Sequence, residues 1–422
     1  MESLPDEILE HILFHVIDAS EVAACNCVSK RWKDSTSSIK TLYFSHDCFE
    51  NLPTGGESSE SIVERMISRV VQLEKLIVYS PFSAAGLASW LSIVSHSLRH
   101  LELRMDNVAG DQSFHENQSK LDCIGVARNL ESLKLWGVLM MLSPKWDVFQ
   151  SLKNLEIVDV QLEDAMLNSM LQSCPFITKL ILLSCKGVQS ISIDLAYLQE
   201  CKLDIYGMGN CSLSLISPVI ESLEVQGCSL IRVPQTKHLR NLSISIKAGR
   251  VYMVDFGNLS ALKFLTMRGI CWCWEAIYKM LKLASEVTHL YMKVEFTGDF
   301  EDLRPFPELD LVDFFNSHQK LQKFDIHGAM FAALRQRYCV RYLQSRFVIP
   351  CLEEVVITVR SPLNATRKMG TLDCLLKYSK NLRIMVIRPA PMMKSIQSNA
   401  DEFFEKICCF AYKNQSIVRI EL

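Results

Sequence analysis

The amino-acid sequence predicts an α/β solenoid of parallel strands that follows a small module of three helices. Three observations lead to this fold class. The pattern apolar-x-x-apolar-x-apolar returns along most of the chain, the spacing between its copies leaves room for connecting helices, and the first 45 residues break the pattern. Spacings of roughly 20 to 35 residues are typical of leucine-rich repeats, whose turns stack into a horseshoe with the strands on its concave face.

Fifteen copies of the apolar pattern mark the predicted strands. Each strand would place its apolar side chains against the preceding turn and pair in parallel with its neighbours, so no single turn would fold alone. Cys185 and Cys228 follow two of the copies at the bend, where a thiol can fill a buried position. The copies are centred on Leu76, Leu101, Leu133, Leu155, Leu180, Ile191, Cys201, Leu223, Leu242, Leu265, Leu290, Phe324, Val355, Met385 and Ile420.

The repeat changes character between residues 186 and 260. The copies come closer together there, and Gly207, Gly209, Gly227 and Pro234 stand between them. Glycine and proline interrupt regular structure. We therefore expect loops or short strands, rather than helices, on the outer side of the solenoid in this region.

The composition is that of a folded protein without a strong electrostatic field. Apolar residues make up 49% of the 422 residues and charged residues 22%, and the net charge is −2. This balance disfavours nucleic acid and a membrane surface as partners. The chain begins with acidic residues rather than a basic secretory signal, and no apolar run is long enough to span a membrane. We expect an intracellular protein, nuclear and/or cytoplasmic, with reduced cysteines.

Residues 1–45 read as three short helices. Pro5 suits the first helical turn, and the residues after it form an apolar face. Asp18 or Ser20 is the predicted N-cap of the second helix, and the third helix is predicted over residues 27–36. So short a segment needs a partner or the adjoining repeats to bury its apolar side chains. The predicted domains are the module over 1–45, a linker over 46–60 and the repeats over 61–422.

The N-terminal module resembles the F-box family. The resemblance rests on Leu4-Pro5-Asp6-Glu7-Ile8-Leu9, Ile12-Leu13 and Val28-Ser29-Lys30-Arg31-Trp32-Lys33 at the family's usual separation. The chain departs from the family over Phe14 to Asp18, where many members carry Leu-Pro. The repeats around Leu171 to Leu180 and Leu375 to Leu382 are similar to those of plant F-box/leucine-rich-repeat proteins, so the resemblance covers almost the whole chain.

This resemblance implies a substrate-recognition subunit of a Skp-cullin-F-box ubiquitin ligase. The module would dock a Skp-type adaptor, and through it a cullin-RING ligase, while the repeats would hold a target protein. Leu9, Leu13 and Cys25 would form the core of the module. The alternative is a leucine-rich-repeat scaffold whose N-terminal helices only cap the array. The adaptor-docking residues carried over from the family are Leu4, Pro5, Ile8, Ile12, Val28 and Trp32.

The motifs of the common enzyme classes are absent. The sequence contains no G-x-G-x-x-G, G-x-x-x-x-G-K-[ST], H-E-x-x-H or G-x-S-x-G motif. The cysteines at Cys271 and Cys273 have no second pair at zinc-finger spacing, which favours buried packing over a metal. We therefore predict no catalytic residues, no cofactor and no metal site, and keep an enzyme of unrecognised fold as the weakest alternative.

Target-binding residues are predicted from the alternation along the strands. Side chains that alternate with the buried positions should face the concave surface. In the C-terminal half these include Arg268, Lys293, His327 and Arg388, which would form a cationic pocket for a carboxylate-bearing or phosphorylated target. A solvated face is the alternative interpretation of the same charges. The predicted target-binding residues are Trp136, Tyr206, Arg268, Tyr291, Lys293, His327 and Arg388.

Overall fold

The structure is a computed structural model that divides into two compact units, residues 1–206 and 207–422. Each unit is built from parallel strands with helices between many of them. The structure describes residues 4–50, 58–105, 119–138, 140, 142–207, 211–296, 307–335, 347–360, 364–389 and 397–421.

Three helices form the N-terminal module, as predicted. They are α1 (Asp6–Phe14), α2 (Ala19–Asn26) and α3 (Lys30–Ser35), and a 3-10 helix follows at Thr36–Ser38. The Asp18 side chain accepts a hydrogen bond from the Ser20 amide, and Ser29 accepts one from the Trp32 amide. These two side chains satisfy backbone donors at the helix starts. Because Ser29 is the N-cap, the third helix is shorter than the predicted range of 27–36.

Seven parallel strands make the sheet of the first unit. Strand β7 (Ser190–Asp194) stands outside that sheet, because β6 pairs directly with β8. Between the strands lie α4 (Asp47–Glu50), α5 (Ser59–Ile67), α6 (Ala84–Val94), a 3-10 helix at Asp122–Val126 and α7 (Asp164–Gln172). The strands of the sheet are β1 (Thr41–Phe44), β2 (Lys75–Tyr79), β3 (His100–Arg104), β4 (Ser132–Trp136), β5 (Asn154–Val158), β6 (Lys179–Lys186) and β8 (Glu200–Tyr206).

The second unit repeats this architecture with more strands. Its longest run of pairing is β10-β12-β14-β15-β17-β19-β20-β21, all parallel, while β9, β11 and β13 form a separate sheet and β16 pairs with β18. The separate sheet confirms the expectation of short strands between residues 186 and 260. The strands are β9 (Cys211–Ile216), β10 (Ser222–Gln226), β11 (Cys228–Val233), β12 (Asn241–Ile246), β13 (Met253–Phe256), β14 (Phe264–Trp272), β15 (His289–Phe296), β16 (Leu309–Asp310), β17 (Lys323–His327), β18 (Leu334–Arg335), β19 (Glu354–Val359), β20 (Ile384–Pro389) and β21 (Val418–Ile420), and the helices are α8 (Trp274–Leu283), α9 (Leu311–Ser317), α10 (Gly328–Ala333), α11 (Ala365–Tyr378) and α12 (Gln397–Lys413).

The repeated apolar side chains form the core, as the sequence predicts. In β3, for example, Leu101 and Leu103 are buried while their neighbours are not. The bend positions Cys185 and Cys228 are fully buried, and the Cys185 thiol lies 3.6 Å from the Ile157 carbonyl oxygen of the preceding strand. Burial raises the pKa of the Cys185 thiol to about 12, so it stays protonated and inert.

The first strand of the sheet grows directly out of the helical module. Ile39, Leu42 and Phe44 repeat the apolar pattern and are buried, although the sequence analysis did not assign a strand there. The Tyr43 amide donates a 2.8 Å hydrogen bond to the Ile17 carbonyl between α1 and α2. Strand β1 therefore lies inside the range predicted for the module, and the predicted linker over 46–60 contains α4 and the start of α5.

Candidate protein-docking surfaces

Helix α1 has one buried and one exposed apolar face. Leu9 and Leu13 are four residues apart and each 1% exposed, whereas Ile8 and Ile12, also four apart, are 47% and 43% exposed. The buried pair packs into the module as predicted. The exposed pair presents a branched apolar stripe to solvent, which the fold itself does not cover.

Other apolar side chains of the module are exposed as well. Pro5 is exposed and Val28 is 59% exposed, while Leu4 is half-buried. Phe14 and Ile17 are also exposed, and the sequence analysis missed both. We call Pro5, Ile8, Ile12, Phe14, Ile17 and Val28 the exposed apolar set of the module.

An arginine holds the start of α1 against α3. The Arg31 Nε lies 2.6 Å from the Asp6 carboxylate, and its Nη2 donates a hydrogen bond to the Leu4 carbonyl. Trp32, predicted to support adaptor docking, is half-buried, and α3 contains no fully buried residue. Cys25 is half-buried rather than part of the core, and burial is the main cause that raises its pKa.

The side chains that alternate with the core form what we call the open face of each sheet. On the open face of the first unit, an aromatic and cationic ladder crosses neighbouring strands. The Tyr43 and Tyr79 rings lie 5.3 Å apart edge to face. The Arg104 guanidinium lies 5.1 Å from the Tyr79 ring and 4.4 Å from the Trp136 ring, and the Lys134 ammonium lies 5.0 Å from the latter. Each cation thus has an aromatic partner.

Carboxylates complete this ladder. The Tyr79 hydroxyl donates a 2.7 Å hydrogen bond to Glu102, and the Lys134 ammonium lies 3.8 Å from Glu102 and 3.3 Å from Glu156. Burial, followed by the bond to Glu102, raises the pKa of Tyr79 to about 12. Tyr206 stands apart at 66% exposure, with the Lys186 ammonium 5.6 Å from its ring. The open face of the first unit therefore satisfies most of its own polar groups.

Cations and rings also meet on the open face of the second unit. Arg268 on β14 and Lys293 on β15 are register partners, and the Arg268 guanidinium lies 4.7 Å from the Tyr291 ring. The Tyr291 ring lies 5.5 Å from the His327 ring. On strand β20 of the same sheet, the Nε of Arg388 pairs with the Glu421 carboxylate at 2.8 Å.

Three polar atoms on this open face are buried without a hydrogen-bond partner. They are Asp325 Oδ1, His327 Nε2 and Thr358 Oγ1. The first two lie 3.1 Å apart, but the approach lacks the alignment of a hydrogen bond. Thr358 is the register partner of both His327 and Arg388, so the three atoms occupy adjacent strands beside the cations. Side chains of such burial normally find a partner in the protein, in water or in a ligand.

A shallow groove of about 200 Å³ adjoins these atoms. Its walls include Phe264, His289, Tyr291 and Asp325. The Phe264 and His289 rings lie 4.5 Å apart, and burial is the main cause that lowers the pKa of His289. The phenyl, imidazole and phenol rings make the groove partly aromatic, and Asp325 adds a polar group to its wall.

Comparisons with known proteins decide the family. A family model described as F-box-like matches residues 1–48. The chain is 58% identical over 421 residues to the F-box protein At1g10780 of Arabidopsis thaliana, covering 100% of both chains. The chain belongs to the F-box protein family. This F-box protein is also 22% identical over 319 residues to the F-box/LRR-repeat protein At1g67190 of Arabidopsis thaliana, covering 71% of this chain and 73% of that one.

A solved structure also aligns with the F-box protein. It is a chain from the crystal structure of a TLR13–ssRNA13 complex, with a TM-score of 0.44 and 13% sequence identity. The alignment covers 84% of the present chain and 55% of that chain.

The structure places the predicted target-binding residues in two groups. Trp136 lies within the ladder of the first unit, and Tyr206 is separate from it. The other five lie on the open face of the second unit, but His327 is only 8% exposed rather than presented to solvent, because it packs against Tyr291 and Asp325. The members of this second group are Arg268, Tyr291, Lys293, His327 and Arg388.

Sequence reasoning missed several residues of the same open face. Asp325 and Thr358 alternate with core positions just as His327 and Arg388 do, so the same rule would have found them. Phe264 and His289 are the first residues of β14 and β15, and both line the groove. The predicted target-binding residues lie further along these strands than Phe264 and His289.

The described residues contain neither a cluster of metal ligands nor a membrane-spanning helix. Within the described ranges, no group of three or more histidine, cysteine, aspartate or glutamate side chains is arranged to hold a metal ion. Among the helices of those ranges, none combines the length and apolar character needed to cross a membrane.

Proposed function

We propose that this F-box protein is the substrate-recognition subunit of a Skp-cullin-F-box ubiquitin ligase. Its module docks a Skp-type adaptor, and its repeats hold a target protein. The observation that carries the proposal is the exposed apolar set on a module that matches the F-box-like family over residues 1–48. The chain acts as an adaptor and not as an enzyme, and the ubiquitin chemistry belongs to other subunits of the assembly.

The exposed pair on α1 supports the docking step. Ile8 and Ile12 lie one helical turn apart, which is the spacing by which an amphipathic helix engages a partner's groove. Two half-exposed isoleucines in a single short helix leave apolar area in water that a partner would cover. Leu9 and Leu13 hold the helix in place from the buried side, so docking need not deform the module.

A scaffold whose helices only cap the repeats remains the second candidate. The hydrogen bond from the Tyr43 amide to the Ile17 carbonyl supports it, because this bond attaches the module to the first strand as a cap would be attached. The two functions are compatible in one module. They differ in whether the exposed apolar set has a partner.

Point variants test the docking better than a deletion, since removing residues 1–45 would also remove β1. The double variant Ile8→Glu with Ile12→Glu places two charges on the exposed stripe. We expect at least a 100-fold loss of affinity for a purified Skp-type adaptor, measured by calorimetry, with an unchanged melting temperature. The control Val71→Glu alters a more exposed apolar residue outside the module and should bind normally. Normal binding by the double variant would leave the scaffold as the function.

The remaining parts of the proposal concern partners and location. The target protein binds the open faces of the repeats, and no cofactor, nucleic acid or membrane takes part. As a subunit of a ubiquitin ligase, the protein would work inside the cell, in the nucleus and/or the cytoplasm. Fluorescent fusions of the wild type and of the Ile8→Glu, Ile12→Glu variant would test whether adaptor binding affects that location.

A further inference from the structure

We propose that the open face of the second unit binds an acidic peptide segment of the target protein. A carboxylate side chain of that segment pairs with Arg268 and Lys293, and an apolar side chain enters the adjacent groove. This inference rests on the proposed function, because it names the class of target that the receptor would hold. Three observations carry it: two cations without a carboxylate, three buried polar atoms without partners, and a groove on the same strands.

The first observation is that two neighbouring cations lack an acidic partner. Within the part of the chain that the structure describes, no carboxylate pairs with Arg268 or Lys293, although they are register partners on adjacent strands. Elsewhere on the same sheet, Lys323 pairs with Glu354 at 2.8 Å and Arg388 with Glu421 at 2.8 Å. Like charges side by side repel each other, and a carboxylate between them removes the repulsion.

The second observation is the group of unsatisfied atoms beside these cations. Thr358 can donate or accept a hydrogen bond, and the Nε2 of His327 can do either according to its tautomer. The surrounding side chains shield both atoms and the Asp325 oxygen from water, so each gains a partner only when a neighbouring side chain turns aside for an incoming group. The long, half-exposed side chain of Arg388 is the register neighbour of Thr358. Adding a polar ligand therefore stabilises groups that the free protein leaves unpaired.

The Asp325 carboxylate favours a carboxylate ligand over a phosphate. Arg388 already pairs with Glu421 at 2.8 Å, so Arg268 and Lys293 are the neighbouring cations that a ligand would meet. Asp325 lies close enough to the Tyr291 ring beside them to raise the pKa of that phenol, after burial as the main cause. A phosphoryl group carries about −1.5 to −2 at pH 7 and would leave an excess of negative charge close to Asp325.

The third observation is the position of the groove. Tyr291 belongs to both features, since its ring stacks under Arg268 and also lines the groove with Phe264 and His289. Successive strands of the sheet lie about 4.8 Å apart, so an extended peptide crossing them can reach both features with side chains two residues apart. A volume of about 200 Å³ accommodates one apolar side chain such as leucine or phenylalanine.

A selection experiment tests the proposal on the full chain bound to its adaptor. The complex is used to select octapeptides from a random display library, and the best peptide is synthesised with a fluorescent label. We expect enrichment of aspartate or glutamate together with an apolar residue nearby. Anisotropy titrations should show at least tenfold weaker binding when the acidic residue is replaced by glutamine. No acidic enrichment, or equal binding of the glutamine peptide, would overturn the proposal.

Variants of the chain locate the site. Arg268→Gln with Lys293→Gln should weaken the peptide at least tenfold, whereas the control Lys237→Gln with Arg240→Gln removes two exposed cations before β12 and should not. Equal effects of both pairs would show general charge attraction and reject the site. Tighter binding of a phosphoserine peptide than of the glutamate peptide would reject the carboxylate assignment.

Adaptor binding by the same variants separates this inference from the proposed function. A chain that binds the adaptor but selects no acidic peptide refutes only the inference. A chain that selects acidic peptides but binds no adaptor supports the site and refutes the ligase role.

Discussion

The polar side chains on the open faces of the two units differ in whether they have partners within the protein. In the first unit, rings, cations and carboxylates pair with one another across the five neighbouring strands β1 to β5. In the second unit, cations stand next to each other and buried polar atoms have no partner. Among the described residues, six buried side-chain polar atoms lack a hydrogen bond; the first unit holds only Ser143 Oγ, and the second unit holds atoms of Arg250, Asp325, His327, Thr358 and Ser379.

Because of this difference, we expect the open face of the first unit to contribute more to folding stability and that of the second unit more to ligand binding. A polar group that already has its partner in the fold contributes to folding and offers little to a ligand, because an exchange of partners gains almost nothing. A buried polar group without a partner lowers the stability of the fold, and a ligand that supplies the missing hydrogen bond gains binding energy. The first unit should therefore be the more sensitive to loss of its open-face side chains, and the second unit the more tolerant.

The largest expected effect comes from a buried lysine of the second unit. Lys368 on α11 is 6% exposed, and burial lowers its pKa to about 8 from 10.5. Because the folded-state pKa lies below the unfolded one, the unfolded state binds more protons between these values, and stability rises with pH through this window. The stability of Lys368→Met relative to the wild type should therefore be higher at pH 7 than at pH 10, by up to about 3 kcal/mol.

Urea unfolding at both pH values measures this effect. Lys377→Met alters an exposed lysine of the same helix and should change the free energy of unfolding by under about 0.5 kcal/mol at either pH. An equal difference between Lys368→Met and the wild type at the two pH values would show that burial does not lower the pKa of Lys368.

The aromatic ladder of the first unit gives the next largest effect. Trp136→Ala removes a half-buried ring together with its contacts to Arg104 and Lys134, and we expect a loss of about 2 kcal/mol. Tyr206→Ala removes a mostly exposed ring of the same sheet and should cost under about 0.5 kcal/mol. Thermal unfolding of the two variants compares the losses of stability directly. Equal losses would show that the contacts of Trp136 in the ladder do not stabilise the fold.

Two threonines compare a buried hydroxyl that has partners with one that has none. In the first unit the Thr36 hydroxyl bonds Asn26 Oδ1 at 2.5 Å and the Lys33 carbonyl at 2.7 Å, whereas Thr358 Oγ1 in the second unit has no partner. Thr36→Val should destabilise the protein by about 1 to 2 kcal/mol, and Thr358→Val should leave stability unchanged or slightly raised. Chemical denaturation of both variants measures the difference. A costly Thr358→Val change would mean that its hydroxyl is satisfied in solution.

The smallest effect concerns a single ionisation. Glu102→Gln should lower the pKa of Tyr79 part of the way from about 12 towards 10, because burial, the larger cause, remains. Since the folded-state pKa is raised, the protonated phenol contributes stability below pH 10 that is lost as the pH rises through about 12. The tyrosinate absorbance of each protein, minus that of its Tyr79→Phe derivative, isolates this titration. An unchanged value would show that Glu102 does not bond the phenol.

The repeat pattern predicts strands well because apolar and polar residues alternate within each copy. Fourteen of the fifteen predicted copies join the main runs of parallel pairing, and β7, centred on Ile191, does not. The centre of the last copy was predicted two residues too late, because Val418 and not Ile420 is the register partner of Met385. Alternation reports that a strand has a buried face but not which sheet it joins. Strand β1 was missed although Ile39, Leu42 and Phe44 carry the pattern, because it follows the module without a break.

The candidate sites were less predictable than the fold. Which residues share the open face follows from alternation, but which of them touch depends on register between strands far apart in sequence. Arg388 and Glu421, for instance, pair across 33 residues. His327 is buried against Tyr291 of the neighbouring strand and Asp325 of its own strand, and no local pattern encodes that packing. Likewise, Phe14 and Ile17 are exposed because of how α1 ends, not because of their residue type.

The backbone bond between Tyr43 and Ile17 has a consequence for how the module is attached to the repeats. Strand β1 follows the module at once and pairs with β2, which lies beyond residue 58. An insertion between β1 and β2 would therefore leave the Tyr43–Ile17 bond in place. The module is held to the first sheet by hydrogen bonds of the backbone, as a hinge plate is fixed to a door, and not by the length of the chain that follows it.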